Sequence, residues 1–151
     1  MAFEEISADM AQKLKPAEKP KLEKRTNATI QDVKFYVDHE NEMVQEKSNS
    51  KYYNAKLHFT FKLDEVIDGS DVITESYTFK LFDGKSPYYG TEKSVTGKSI
   101  NTLLQSIDGI DRNSSVGNIM AACLGKKVQI MSRQTSFDGK NYTRYEIAAV
   151  L

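Results

Sequence analysis

The sequence predicts a mostly β fold, a five-stranded Greek-key barrel with one or two helices between its third and fourth strands. Three segments before residue 83 alternate apolar and polar side chains as a strand does, a helical period follows between residues 100 and 124, and two further alternating segments end the chain. A chain of 151 residues, of which 39% are hydrophobic, is long enough for one domain with a modest core.

The first strand is predicted from Thr29 onward, where alternate side chains change character. Its inward residues are Val33, Phe35 and Val37, and its outward residues are Lys34, Tyr36 and Asp38. The polar, mostly acidic residues 39–50 then predict a long loop.

The second and third strands show the same alternation and are joined by a predicted turn at residues 68–71. Inward residues of the second strand are Ala55, Leu57, Phe59, Phe61 and Leu63. Inward residues of the third are Ile73, Tyr77, Phe79 and Leu81.

Two helical pieces follow. Ile100, Leu103, Leu104 and Ile107 fit the helical period behind a candidate cap at Ser99. The second piece carries Val116, Ile119, Met120, Cys123 and Leu124, with Ser114 or Ser115 as its cap and Gly125 at its end. Residues 127–134 and 142–150 predict the last two strands, joined by a turn around Asp138-Gly139.

This order of elements is that of an oligonucleotide-binding barrel, whose ligand face lies on its second and third strands. A five-stranded sheet packed on one or two helices would give the same pattern, so the sequence leaves both arrangements open. Residues 1–26 are expected to be a flexible amino-terminal arm, because they contain a short amphipathic piece followed by a run rich in Lys, Pro and Glu. The folded domain is expected to span residues 27–151.

Charge is balanced overall but divided unevenly along the chain. The 21 basic and 21 acidic residues cancel. Residues 26–75 contain five lysines and ten acidic residues, net −5, whereas residues 76–151 contain ten basic and six acidic residues, net +4. Any binding of nucleic acid must therefore depend on a local basic surface.

A cytoplasmic, soluble protein is expected. The one cysteine, Cys123, has no partner for an intramolecular disulfide. The first residues have neither a basic nor a long apolar segment of the kind that directs export, and no stretch approaches the ~20 apolar residues of a membrane span.

Signals for catalysis or for a cofactor are weak. Thr96-Gly97-Lys98-Ser99 resembles the end of a phosphate-binding loop, but position 92, where the first glycine of that motif belongs, is Glu. His39 and His58 lie on different elements, without metal-ligand spacing. Cys123 is predicted to lie on the apolar face of a helix. We therefore expect no enzyme activity, no metal and no cofactor. A small nuclease would require converging carboxylates, which the sequence does not display.

Basic and aromatic residues alternate on the outward faces and at the loops, a mix suited to unpaired nucleic acid because rings stack on bases while cations neutralise phosphates. Each ring alone is as compatible with a structural role. The candidate nucleic-acid-binding residues are Lys34, Tyr36, Lys56, His58, Lys80, Phe82, Tyr88, Tyr89, Arg133, Phe137, Lys140, Tyr142 and Arg144.

Over roughly residues 26–151 the chain resembles the phage-encoded single-stranded DNA-binding proteins of the oligonucleotide-binding fold. Leu124-Gly125-Lys126-Lys127-Val128 and the turn Gly139-Lys140-Asn141-Tyr142 carry the resemblance. It implies a protein that coats exposed DNA strands with little sequence preference during replication, recombination or repair. It also implies contact with replication or recombination proteins, in the host cytoplasm if the protein is phage-encoded.

Single-stranded DNA binding without catalysis is the leading hypothesis, with single-stranded DNA as partner and a homo-oligomer as a compatible state. The alternative is a non-enzymatic protein-interaction module, such as a phage assembly or host-takeover protein, in which the barrel is a scaffold and the outward rings form the interface. The balanced net charge favours this alternative.

Overall fold

The computed structural model describes residues 20–38, 44–45, 51–83 and 86–151, which form one antiparallel sheet and two helices. The strands are β1 (Thr26–Val37), β2 (Val44–Gln45), β3 (Lys51–Ile67), β4 (Ser70–Phe82), β5 (Ser86–Tyr88), β6 (Lys127–Phe137) and β7 (Lys140–Val150). The helices are α1 (Val95–Ser106) and α2 (Val116–Cys123).

The sheet order is β5-β4-β3-β1-β6-β7, and β2 pairs with the start of β3. The mostly β class is confirmed, and both helices lie between the third and fourth of the five long strands, as predicted. The five-stranded count is wrong, because the short strands β2 and β5 add to the sheet. The layout is consistent with an oligonucleotide-binding-like fold, but the sheet is not a closed barrel.

Side chains, in place of a backbone ladder, connect the two ends of the sheet within the described residues. The Tyr77 hydroxyl on β4 donates to the Tyr145 carbonyl on β7 at 2.6 Å, and the Tyr145 amide donates to Glu75 Oε1 at 2.8 Å. Helix α1 covers the same edge, where the Ile147 amide donates to Ser99 Oγ at 3.0 Å. Side chains of β4 and α1 thus satisfy the backbone groups of Tyr145 and Ile147 at the edge of β7, where no strand ladder pairs β7 with β4 among the described residues.

The core lies between the inward face of the sheet and the two helices. Fully buried residues include Phe59, Phe61 and Tyr77 from the strands, with Ile100 and Ile119 from the helices. The predicted inward residues of the second and third long strands are buried, so the alternation identified the correct face.

Two Asp-Gly turns set the hairpins. Asp68-Gly69 joins β3 to β4, and Asp138-Gly139 joins β6 to β7, with positive φ values at all four residues. Two central residues with positive φ form the turn that matches the twist of paired strands. Both turns were located correctly by sequence, but the last hairpin is longer than predicted because β6 continues to Phe137.

The helix starts differ in part from the prediction. Helix α1 begins one turn earlier, where the Ser94 hydroxyl accepts a hydrogen bond from the Gly97 amide at 2.9 Å. Ser99 is therefore not a cap. Ser115 caps α2, and Gly125, with φ of 78°, follows its end. Neither helix has the length and apolar character needed to cross a membrane in the described parts of the chain.

The predicted flexible arm lies mostly outside the described residues, and its last part packs on the sheet. Leu22 is buried and its amide donates to Ser132 Oγ at 2.6 Å. The Tyr145 hydroxyl donates to the Pro20 carbonyl at 2.7 Å. Pro20 and Leu22 therefore contact the sheet, which the sequence did not indicate.

Candidate nucleic-acid interface

The outward side chains of β1, β3, β4 and β5 form a continuous surface, called here the outer face. Cross-strand pairing sets its rows: Tyr36, Lys56 and Thr78 are neighbours in one row, and Lys34, His58 and Ser76 are neighbours in the next. The outer face consists of Lys34, Tyr36, Tyr52, Asn54, Lys56, His58, Ser76, Thr78, Lys80, Phe82 and Tyr88. Strand register alone brings these cations and rings together from distant parts of the sequence.

Two lysines of the outer face lie over tyrosine rings. Lys56 Nζ is 5.2 Å from the ring centroid of Tyr36, and Lys80 Nζ is 4.8 Å from that of Tyr52. Both distances are within the range of a cation–π contact. Tyr36 is nevertheless 47% exposed, so its ring is accessible to a ligand.

Three rings are grouped at the β5 side of the outer face. Tyr52 and Phe82 are cross-strand partners with centroids 5.6 Å apart, and Phe82 and Tyr88 are 6.4 Å apart. Tyr88 is 50% exposed. Tyr52 is absent from the candidate set above, although the alternation of β3 also places it on the outward face; the register adds its contact with Phe82.

Ser76 connects the outer face to the β6–β7 hairpin. Its hydroxyl lies 2.7 Å from His58 Nδ1, and its carbonyl accepts a hydrogen bond of 2.8 Å from Arg144 Nη2. Lys34, His58, Ser76 and Arg144 therefore form one polar row that crosses β1, β3 and β4 and ends on β7.

A groove of about 780 Å³ lies on the hairpin side of this row. Lys21, Phe137, Tyr142 and Arg144 are among its lining residues. Phe137 is 70% exposed and Tyr142 is 45% exposed, which is costly in water unless a partner covers them. Lys21 had no sequence signal, because only the packing of Leu22 brings it to the groove. Lys140 is exposed at the adjoining turn.

The two predicted arginines are paired with carboxylates. Arg133 Nη1 lies 2.9 Å from Glu146 Oε1, and Arg144 Nε lies 3.2 Å from Glu75 Oε1. Both carboxylates are largely buried. The sequence placed both arginines on outward faces but did not indicate these ion pairs, which hold β6, β7 and β4 in place.

Tyr89 is buried, although the sequence analysis named it among the candidate binding residues. Its ring is 8% exposed and packs on Phe79, with centroids 4.8 Å apart, so it belongs to the core and cannot stack on a base. Its hydroxyl has no hydrogen-bond partner among the described residues. Burial raises the pKa of Tyr89.

Some of the described lysines form ion pairs with carboxylates and others do not. Lys62 pairs with Asp71, and Lys127 Nζ lies 3.0 Å from Asp64 Oδ1. Within the described parts of the chain, no carboxylate pairs with Lys34 or Lys56. Since unpaired lysines neutralise a phosphate without losing an existing partner, these two are the stronger candidates for backbone contacts.

The cysteine and the potential metal ligands were the residues with the clearest catalytic chemistry in the sequence. Burial raises the pKa of the Cys123 thiol to about 12, so it is protonated near neutral pH and a poor nucleophile. No group of three or more His, Cys, Asp or Glu residues is placed to hold a metal in the part of the chain that the structure describes. The Thr96-Gly97-Lys98-Ser99 segment is the first turn of α1.

Comparison with known proteins adds little. No protein-family model matches the chain, and no curated protein sequence matches it. Among solved structures the chain is similar to "Yeast RPA bound to ssDNA", with 15% sequence identity, coverage of 97% of this chain and 85% of that chain, and a TM-score of 0.35. With this identity and TM-score, the likeness assigns no function.

Proposed function

We propose that this protein binds single-stranded DNA with little sequence preference, through the outer face and the hairpin groove. Exposed rings would stack on successive bases, and lysines between them would neutralise the phosphates. Such stacking contributes about 1–3 kcal/mol per base, so a few rings are sufficient for useful affinity.

The observation that carries the proposal is the polar row from Lys34 through His58 and Ser76 to Arg144. It joins two surfaces that both combine exposed rings with cations. A single strand could therefore follow one path from the rings of the outer face to Phe137 and Tyr142. Arg144, which is bound to Glu75, would align the two surfaces and would not act as the main phosphate contact.

The proposed role is to cover DNA strands exposed during replication, recombination or repair, as the resemblance to phage single-stranded DNA-binding proteins implies. Within this proposal the protein acts in the cytoplasm, in the host if it is phage-encoded, and catalyses no reaction. Replication or recombination proteins are its proposed protein partners.

The direct test is fluorescence anisotropy of a labelled oligothymidine at low salt. Tyr36→Ala should weaken binding by about five- to hundredfold, since one stacked base is lost. The matched control is Val66→Ala, which also trims an exposed side chain but lies near the tip of the β3–β4 hairpin. If the unmodified protein does not bind the oligothymidine, the proposal is refuted. If Tyr36→Ala leaves the affinity unchanged, the outer face is not part of the DNA-binding site.

A protein-interaction module is the second candidate. The 70% exposure of Phe137, together with balanced net charge, favours it because apolar surface without a basic excess is typical of protein contacts. Under this alternative, Phe137→Ser would improve solubility and leave any DNA affinity unaltered. Under the main proposal it would weaken DNA binding.

A further inference from the structure

A small recess borders the outer face at its β5 edge. The residues that line it are Pro87, Tyr88, Tyr89, Gly90, Asn101 and Arg112. They come from β5 and the loop after it, from α1, and from the loop between the two helices. The volume is about 50 Å³, far below the ~300 Å³ at which pockets for small molecules begin, so the recess has room for one small group and not for a base.

The side chains of Asn101 and Arg112 give this recess its hydrogen-bond donors. Arg112 Nη2 donates to Asn101 Oδ1 at 3.4 Å, so the oxygen of the amide already has a donor. Asn101 is only 5% exposed, and its Nδ2 group donates to no atom among the described residues. Because a nearly buried donor without an acceptor is costly, a ligand that accepts hydrogen bonds is favoured here.

Arg112 also gives the recess a positive charge. No acidic residue lines the recess. In the described parts of the chain no carboxylate pairs with Arg112, in contrast to Arg133 and Arg144. A guanidinium holds its N–H donors in a planar fork that matches two oxygens of a phosphate. The recess therefore favours an anion with several acceptor oxygens.

Tyr88 connects the recess to the rings that are proposed to stack on bases. It lines the recess, is 50% exposed, and has its ring centroid 6.4 Å from that of Phe82. Strand β5 is the last strand on this side of the sheet, so a DNA strand that follows the rings as far as Tyr88 leaves the sheet there. A phosphate follows every base along the strand, and Arg112 is placed to receive the one beside Tyr88.

We infer that this recess is a phosphate subsite at the point where single-stranded DNA leaves the outer face. Arg112 and the Asn101 Nδ2 group donate to the phosphate oxygens. The inference rests on the proposed binding of single-stranded DNA and extends its path from β5 to the loop between the helices. An internal phosphodiester and a terminal phosphate present the same kind of acceptor oxygens, and the experiment separates these two sources.

The experiment titrates the full chain with a labelled oligothymidine of about 12 nucleotides, a length within the ~4–16 that one domain of this kind covers, at several salt concentrations. Arg112→Gln should weaken binding at low salt by about three- to thirtyfold, the loss expected for one charge-assisted contact. It should also reduce the slope of log affinity against log salt by about 0.7, the value for one phosphate. Arg112→Lys should keep the slope, because the charge remains, and should restore only part of the affinity, because the planar fork is lost.

A second set of titrations identifies the source of the phosphate. Unlabelled oligothymidine with hydroxyl groups at both ends, and the same strand with phosphates at both ends, compete against the labelled strand. If Arg112→Gln weakens binding of both strands equally, the recess binds an internal phosphodiester. If it weakens binding of the phosphorylated strand alone, the recess binds a terminal phosphate.

Arg25→Gln is the matched control, because Arg25 is an exposed arginine that borders a different recess together with Asp64 and Glu65. It should leave both the affinity and the salt slope unchanged. If Arg112→Gln changes neither quantity for either strand, or if Arg25→Gln causes the same loss, the phosphate subsite is overturned while DNA binding stands. If the unmodified protein binds no oligothymidine, the proposed function itself is refuted.

Discussion

At the scale of single residues, Gly97 has a structural role that its sequence setting conceals. It lies in the first turn of α1, where a Cβ would be 2.6 Å from the carbonyl carbon of Thr91 and would overlap the Thr91 carbonyl oxygen. Glycine here permits close packing of the helix on the preceding loop. The likeness of this segment to a phosphate-binding loop therefore has a packing explanation.

Gly97→Ala should lower the free energy of unfolding by about 1–3 kcal/mol, because backbone atoms must move to accommodate the methyl group. The melting temperature should fall by roughly 2–4 °C for each kcal/mol lost. Thermal unfolding followed by circular dichroism measures the melting temperature of the Gly97→Ala protein and of its control.

Gly117→Ala is the control, since nothing lies within 4 Å of a Cβ at that helical position. Alanine is the better helix former by up to ~1 kcal/mol, so this variant should be as stable as the unmodified protein or more so. Equal effects of the two substitutions on the free energy of unfolding would show that the close approach at Gly97 does not affect stability.

At the scale of elements, the contact between β4 and β7 depends on a few buried polar side chains. Tyr77 is fully buried, and burial raises its pKa, so its hydroxyl remains protonated and donates to the Tyr145 carbonyl. Glu75 accepts from the Tyr145 amide and pairs with Arg144. These bonds also hold Arg144 against Ser76, where the outer face meets the hairpin.

Tyr77→Phe should reduce the free energy of unfolding by about 1–3 kcal/mol, because it preserves the ring but leaves the buried Tyr145 carbonyl without this donor. Urea unfolding measures the change. Tyr88→Phe removes a hydroxyl from a ring that is 50% exposed and should change stability by less than ~0.5 kcal/mol. If both substitutions had the same small effect on the free energy of unfolding, the Tyr77 hydroxyl would not stabilise the contact between β4 and β7.

At the scale of the whole molecule, the net charge is zero, so electrostatic attraction to DNA must come from the uneven distribution of charges over the surface. Among the described residues, the cations held by carboxylates include Lys62, Lys127, Arg133 and Arg144. Lys34 and Lys56 are not so held within the described residues. We therefore expect a modest salt dependence that a small number of lysines dominates.

For single strands the logarithm of affinity falls with the logarithm of salt concentration by ~0.7 for each neutralised phosphate. Lys56→Gln should reduce the size of that slope by about 0.7, as measured by titrations of oligothymidine at several salt concentrations. Lys126→Gln removes an exposed lysine between α2 and β6, outside the outer face, and should leave the slope unchanged. If Lys126→Gln reduces the slope and Lys56→Gln does not, the DNA phosphates bind outside the outer face.

Much of the fold was predictable because it depends on local chemistry. The alternation in β3 and β4 identified the buried face, both Asp-Gly turns were recognised, and the caps at Ser115 and Gly125 follow from residue type. The short strands and the early start of α1 were missed, although their pairings and cap are local in sequence. The open sheet was left undecided, because it depends on contacts between β4 and β7, which are distant in sequence.

The sequence by itself determined which residues alternate inward and outward, and thus which cations and rings could share a surface, since a strand repeats every two residues. Only the tertiary structure decided which of them meet. Register placed Tyr52 beside Phe82, core packing removed Tyr89 from the surface, and buried carboxylates engaged Arg133 and Arg144. The physical reason is that burial and charge pairing are properties of the packed chain, and no local pattern of residues specifies them.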